Sequence, residues 1–430
     1  MALIAVAAVA ACLLAPPAAR AQGETWASVN IQRMVEEARW RVGALRLNAA
    51  FRLSRAGYDS DIYFGYFDQP VADVTASASI PIQVLLPLSK KAVIDVSETP
   101  EYDFYLDSSD QRAWNNRLNG RLHLALDKVY IQAGGGMSNV RRRFSPELDL
   151  NVRQKTDNLN ALILWQASRN TSLAVLYGGA QYRFDEDVFY GGQSLADRLN
   201  RNEEYVDLIG YVRPSARLRL SLDAQYGSYQ FRRSLSKDRN SVSFAFFAGV
   251  EFIPTEGNIP LVRGVRGTAA LGYMRLDVND PLMRDGSGLV GEADVRASLS
   301  RRVTGHMFFS RGFRFSIYSG VNFYLATTMG AGITRHLSRK ADVGYEFMYG
   351  RTAYPELDEG DDTPYYRYLT HSLNLGLRLA RYLGMTISGS FGQRDRGGPS
   401  PLMNRFFVGL SLVYGFTGSG MSAPTRGGIR

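Results

Sequence analysis

From Arg41 to Phe416 the sequence keeps a hydrophobic period of two almost without interruption, and no apolar run of about 18 residues occurs beyond its N-terminal segment. That pairing constrains the fold more than any other feature. It excludes membrane helices, yet leaves open a membrane crossing by strands, which need apolar side chains only at every second position. The segment Asn404–Phe416 makes the pattern plain. One parity reads Phe406, Val408, Leu410, Leu412, Tyr414, Phe416; the other reads Arg405, Phe407, Gly409, Ser411, Val413, Gly415. Alternate residues of a strand point to opposite faces, so one face is greasy, with aromatic residues at both ends and aliphatics between. A strand that crosses lipid between two aromatic girdles has this outer face. A half-buried strand of a soluble β protein is the competing reading for this segment alone.

The same rows recur along the chain. Leu45, Leu47, Ala49, Phe51 and Leu53 oppose Arg46, Asn48, Ala50 and Arg52. Leu118, Leu122, Leu124 and Leu126 oppose Asn119, Arg121 and His123. Leu218, Leu220, Leu222, Ala224 and Tyr226 oppose Arg217, Arg219, Ser221, Asp223 and Gln225. Further apolar rows are Phe244–Phe252, Val321–Phe323–Leu325, Val343–Tyr349 and Leu373–Leu379. A soluble sandwich would turn its apolar rows inward and cover its outside with Lys and Glu. Here the polar rows mix Gly, Ser, Asn, Arg and Asp, as a watery lumen requires.

Breaks alternate in length. Short ones fall at Asp127-Lys128, Ser168–Asn170, Pro214–Ala216, His336–Arg339 and Arg381-Tyr382. Longer ones fall near Asp107–Trp114, Asp185–Asn200, Lys237–Asn240, Asp277–Ser287 and Ala353–Pro364. Outer-membrane barrels have short turns at one rim and long loops at the other. The rows number about eighteen, leaving about twenty residues for each strand and its connection, enough for the 9–11 that cross a bilayer. The expected fold is therefore all-β: a single, closed, antiparallel transmembrane barrel of about 18 strands, in the bacterial outer membrane, with lipid as its outer partner. Residues 1–21 read as a signal peptide with an apolar core and an Ala19-Arg20-Ala21 cleavage site. This segment lacks a positive n-region, which leaves room for a start further upstream. Val9-Ala10-Ala11-Cys12 offers a lipoprotein box as the alternative. Cleavage after Ala21 would remove the single cysteine, Cys12, and with it any thiol chemistry. Residues 22–40 are a helical periplasmic lead-in or a helix entering the barrel mouth, 41–416 the barrel, and 417–430 a tail.

The net charge of +9 is spread along the chain and gives no nucleic-acid patch. For catalysis, His123, His306 and His371 lack a serine two residues away, Ser338 two after His336 falls in the short His336–Arg339 break, and His371-Ser372 point to opposite faces. No metal-ligand cluster, phosphate loop or Asp-His dyad is legible, so no catalytic, cofactor or metal residues are assigned and the chain is read as a non-enzyme. The polar rows supply pore-lining candidates instead: Arg121, His123, Arg153, Lys155, Arg217, Arg219, Asp223, Glu292, Asp294 and Arg296. Such rows either select permeants by charge or merely pair and stiffen the wall. Arg141-Arg142-Arg143 reads as a solvated strand end or a contact for lipopolysaccharide phosphates. Glu356, Asp358, Glu359, Asp361 and Asp362 read as a hydrated acidic loop.

Two resemblances add to this. A last strand ending on Phe resembles the signal that outer-membrane barrels offer to their assembly machinery, although Thr417–Arg430 follow it here. Gly43-Ala44-Leu45-Arg46-Leu47 followed by Gly57-Tyr58-Asp59-Ser60-Asp61-Ile62-Tyr63 resembles the first strand and loop of the "putative β-barrel porin 2" group, with Asp61 where Asn is expected and Ala44 where Pro is frequent. The resemblance implies about eighteen strands and a part in exopolysaccharide export alongside a periplasmic polysaccharide-export protein. A general diffusion or sugar-uptake porin is the alternative, and the expected permeant is a polysaccharide or saccharide.

Overall fold

In a computed structural model, the structure describes residues 26–64, 69–148, 150–190, 192–233, 238–253, 263–281, 283–318, 321–355, 366–395 and 402–415. The leader, Cys12, the acidic loop from Glu356 to Asp362, Phe416 and the tail lie outside them. Eighteen antiparallel strands form one closed wall. They are β1 (Leu45–Asp59), β2 (Asp73–Ser79 continued by Ile82–Ser89), β3 (Ala92–Tyr105), β4 (Ala113–Ala125), β5 (Val129–Arg142), β6 (Val152–Gln166), β7 (Thr171–Phe184), β8 (Arg201–Ser215) and β9 (Leu218–Phe231). The second half holds β10 (Ser241–Phe252), β11 (Arg263–Val278), β12 (Gly286–Ser300), β13 (Val303–Phe315), β14 (Phe323–His336), β15 (Ala341–Ala353), β16 (Arg367–Ala380), β17 (Leu383–Asp395) and β18 (Met403–Gly415).

The apolar rows do face outward. Leu118 and Leu122, Leu220 and Leu222, Phe244 and Phe246, and Phe406, Val408 and Tyr414 are all exposed on the outer wall. In lipid this exposure is the stable arrangement, because the ladder of a closed wall pairs backbone N–H and C=O groups that lipid could not satisfy.

Closure sets the register. β1 pairs with β18 from Ala50↔Gly415 to Asp59↔Phe407, with a bulge between Leu53 and Ala56 where Arg55 takes a positive φ of 53°. The extra residue bends the strand at the seam. Among the described residues, the pairing of β18 with β1 runs as far as Ala50. Trp40–Val42 folds back and pairs with Leu45–Leu47, covering their edge. The first membrane strand thus begins at Leu45, and Arg41 belongs to this covering hairpin.

The lead-in is helical: α1 spans Trp26–Glu36. Ile31 and Ala38 are buried against Leu85, Val93 and Ala125. Those three wall residues have inward parity near the short-turn rim, so the lead-in sits inside that mouth.

Gly57 lies where the seam is tightest. A Cβ there would overlap the Val408 carbonyl and the Gly409 Cα, backbone atoms that can shift only by breaking the ladder. Gly57→Leu is expected to abolish closure, seen as loss of the fast-migrating folded band in unheated electrophoresis. Gly210→Ala, which meets nothing within 4 Å, should keep that band.

Candidate functional site: a closed outer mouth

The long-loop rim, which outer-membrane barrels turn to the outside, is filled by the protein itself. The filling begins where β13 and β14 leave the wall. Pairing of β12 with β13 stops at Gly291↔Arg311, while Gly286 to Val290 go on pairing with β11. Arg311 covers the break by donating Nε–H to the Leu289 carbonyl at 3.0 Å. Beyond this point Phe313, Phe323 and Leu325, which have outward parity, are buried against Ala245, Met274, Leu276 and Val290, which have inward parity. Outward side chains can meet the inner wall of neighbouring strands only if their own hairpin leans into the lumen. Phe315 carries the contact further, with its ring 5.1 Å from Tyr229 and 5.0 Å from Phe231 on β9. Gly286 makes room, since a Cβ on it would overlap the Phe323 ring. The row Val321–Phe323–Leu325 is therefore not a lipid-facing row as its alternation suggests; all three are buried.

The loop 143–151, between β5 and β6, comes in from the other side. An eighteen-stranded wall with strands about 4.8 Å apart and tilted about 40° has a backbone diameter of roughly 35 Å. A loop of this length, going out and back, reaches at most about 15 Å. It cannot close the mouth alone, but it meets the leaning hairpin: Ser145 Oγ lies 3.0 Å from Tyr324 Oη on β14, nine strands from β5. Leu148 is fully buried with Val152, Phe184, Leu195, Leu199 and Ile317. Here Leu195 and Leu199 come from α2 (Leu195–Leu199), a single turn of helix capped by Ser194.

Three buried charged side chains tie these loops together. Glu147 is fully buried and accepts from Ser316 Oγ at 2.8 Å, from the Ile317 N–H at 2.8 Å and from Tyr354 Oη at 2.8 Å. Arg239, also fully buried, donates to the Arg198, Ser316 and Asn322 carbonyls at 2.9, 2.7 and 2.6 Å and to Asn322 Oδ1 at 3.1 Å. Arg394 on β17 donates to the Phe64 carbonyl at 3.1 Å and to the Pro146 carbonyl, and stacks on Tyr366 at 4.8 Å. Burial pushes the Glu147 carboxyl up to about 7, against the lowering pull of its three donors and of Arg239. Burial also pushes the Tyr354 phenol up, helped by the Glu147 charge, so Tyr354 stays a donor.

Sequence periodicity gave no sign of these three residues, because their partners lie on other loops, up to several hundred residues away. For the residues it did single out, the pleat separates the candidates. Arg121, His123, Arg219, Asp223, Glu292, Asp294 and Arg296 have inward parity. Arg219 is paired to Glu251 with Nε–Oε2 at 2.7 Å and lies over the Tyr211 ring at 4.9 Å. His123 Nδ1 is 2.8 Å from Tyr130 Oη beneath the lead-in. His306 Nε2 is 3.3 Å and Arg296 Nε 3.6 Å from Asp294 Oδ1. Register thus forms the Asp-His pair that the linear sequence hides, through Arg296↔His306. Arg217 lies in the turn before β9, not in the strand. Arg153 and Lys155 share the parity of the exposed Leu159 and Ile163. They point outward near the outer rim, with Arg153 on Asn139 Oδ1 at 2.9 Å and Lys155 on Asp185 at 4.0 Å. His371 bonds Tyr345 on the outer wall at 2.7 Å. Among the described residues no group of three or more His, Cys, Asp or Glu could hold a metal ion.

A closed barrel of this width, with an apolar outer wall and charged, hydrogen-bonded rows inside, is a channel-forming barrel of the bacterial outer membrane, porin-like in architecture. The chain belongs to the family described as "Putative beta-barrel porin 2", whose model matches residues 41–397. Among solved structures it is similar to the outer membrane protein opdK of Pseudomonas aeruginosa, at 10% identity and a TM-score of 0.51, covering 86% of this chain and 98% of that one. OccAB3 of Acinetobacter baumannii matches at 10% and 0.49, covering 87% and 100%. A structure titled "Bacterial polysaccharide outer membrane secretin" matches at 7% and 0.39, covering 88% and 100%. These likenesses are of fold alone. No curated protein matches the chain.

The buried carboxyl makes docking of the 143–151 loop depend on pH. Docked, Glu147 holds its proton up to about 7; released to water it would return to near its ordinary 4.5. Docking is therefore fully favoured below about pH 4.5 and loses on the order of 3 kcal/mol as pH rises from there to about 7. The groups facing Glu147 are Arg239, Arg198, Ser316, Tyr318, Tyr324 and Tyr354. A nitroxide on Asn151→Cys should be immobile at pH 5.5 and gain a mobile component at pH 8.5, while Glu147→Gln stays immobile at both. A mobile component that grows toward acid pH would contradict the sign.

Proposed function

We propose that the protein is a gated conduit for saccharide polymer, taking part in exopolysaccharide export, with the plug of loop 143–151 and the leaning β13–β14 hairpin as its outer closure. The observation that carries this reading is the plug. A general diffusion pore works by staying open, whereas a conduit for an occasional long polymer must seal a wall of roughly 35 Å backbone diameter between uses. The inner wall suits a sugar chain: Tyr182, Tyr205 and Tyr211 are half-buried aromatic rings on it, and Arg201 and Gln225, held by the buried Glu203 and Asp207, add hydrogen-bonding groups between them. The resemblance of the opening strand and loop points to the same process, with a periplasmic polysaccharide-export protein as partner. Inward charges such as Arg121, Arg219, Asp223, Glu292, Asp294 and Arg296 would line the path and tune it for charge. The hydroxyls beside the His123 and His371 imidazoles are the phenols of Tyr130 and Tyr345, and we read the chain as a non-enzyme. A general or sugar-uptake porin fits the same wall and family.

Planar-bilayer currents separate the two. The export reading expects the native protein to be nearly silent and Glu147→Lys, which sets a cation among the Glu147 donors and near Arg239, to conduct several-fold more. Glycans of about ten or more sugars should interrupt that current, since a longer chain meets more ring faces at once, while disaccharides pass without resolved block. A large steady current in the native protein, interrupted by small sugars, would favour the porin reading.

A further inference from the structure

The outer wall carries a groove of about 800 Å³ beside the short-turn rim, lined by Ile333, Val343, Tyr345, Val303 and the arginines Arg301, Arg302 and Arg335. Register shows how it forms. Two outward rows run side by side, Gly305–Ile333–Tyr345 and Val303–Arg335–Val343, across β13, β14 and β15. Gly305 adds no side chain, so the wall dips between Leu299 on β12 and Ile333 on β14. The arginines stand at the rim end, Arg301 and Arg302 in the β12–β13 turn and Arg335 on β14. Arg339 and Lys340 in the next turn add to the same charge. The carboxylate nearest in sequence, Asp342, has the opposite, inward parity.

We propose that this groove binds one anionic glycerophospholipid of the inner leaflet. The short-turn rim lies at the inner leaflet's headgroup level. There a phosphate meets guanidinium forks that hold it in two-pronged hydrogen bonds, and the acyl chains descend over Val343, Ile333 and the Tyr345 ring. Three cations without an acidic side chain in the lining repel one another until an anion sits among them. A basic pocket at a membrane interface, continuous with an apolar trough, matches a lipid headgroup with its chains better than a free phosphate, which would use only the rim.

The test is native mass spectrometry of the full barrel in detergent, offered phosphatidylglycerol, phosphatidylethanolamine or glycerol phosphate. One retained phosphatidylglycerol per barrel is expected, held at least about tenfold better than phosphatidylethanolamine and not displaced by excess glycerol phosphate. The double variant Arg301→Glu, Arg335→Glu should cut retention about tenfold. Ile333→Trp, which fills the trough and leaves the charges, should do the same and keeps the test alive if the charge reversal fails to assemble. Retention unchanged in Ile333→Trp, no retained lipid, equal binding of glycerol phosphate, or a lipid-free dimer of the chain would each overturn the proposal.

Discussion

The structure depends on the pairing of β1 with β18. In hydrocarbon an unpaired backbone N–H or C=O has no water to turn to, so a sheet in lipid is stable only when it has no edge. The seam is correspondingly reinforced. Asp59, fully buried, accepts from Arg405 Nε at 2.8 Å, and Ser60 Oγ accepts from the Phe406 N–H at 2.8 Å. Trp40–Val42 pairs with Leu45–Leu47, past the last described partner of β18 at Ala50. Once the wall is closed, its interior is isolated from lipid and can fold by the rules of a soluble protein.

That freedom is used at the outer mouth. Leu148, Phe323 and Met274 are packed there as in an ordinary core, and such burial holds the plug without directing it. Direction comes from Glu147, Arg239 and Arg394, whose partners are individual carbonyls, hydroxyls and one N–H. Removing charges from water costs nearly what their bonds return. These contacts therefore fix which loops meet while adding little to how tightly they hold. A plug built this way is specific and also releasable, as a gate requires.

Much of the wall was legible in the sequence because lipid enforces it. Leu220 and Leu222 face the lipid, and the alternation of one strand then turns Arg219 and Asp223 inward. The rule fails where lipid ends. Arg153 and Lys155 lie near the outer rim, where water reaches both faces and a polar residue on either parity is stable. Phe323 and Leu325 keep a perfect alternation, yet the strand carrying them leans inward; parity records which side of a strand is apolar, not where the strand goes. The Glu147 cluster left no periodic trace because its geometry arises from loops that meet only after closure. The His306–Asp294 approach likewise needed the register of β12 on β13.

The central claim is that β1 and β18 close the barrel in one register, and a disulfide tests it most directly. With Cys12 replaced by Ser, cysteines at Phe51 and Tyr414, which are direct partners across the seam, should cross-link on mild oxidation in the outer membrane. The cross-link would tie the two ends of the chain and shift migration on a denaturing, non-reducing gel. Cysteines at Phe51 and Leu410 should stay unlinked, because Leu410 pairs with Ala56 instead. Linking of Phe51 to Leu410 but not to Tyr414, or of neither pair in assembled protein, would contradict the closure described above.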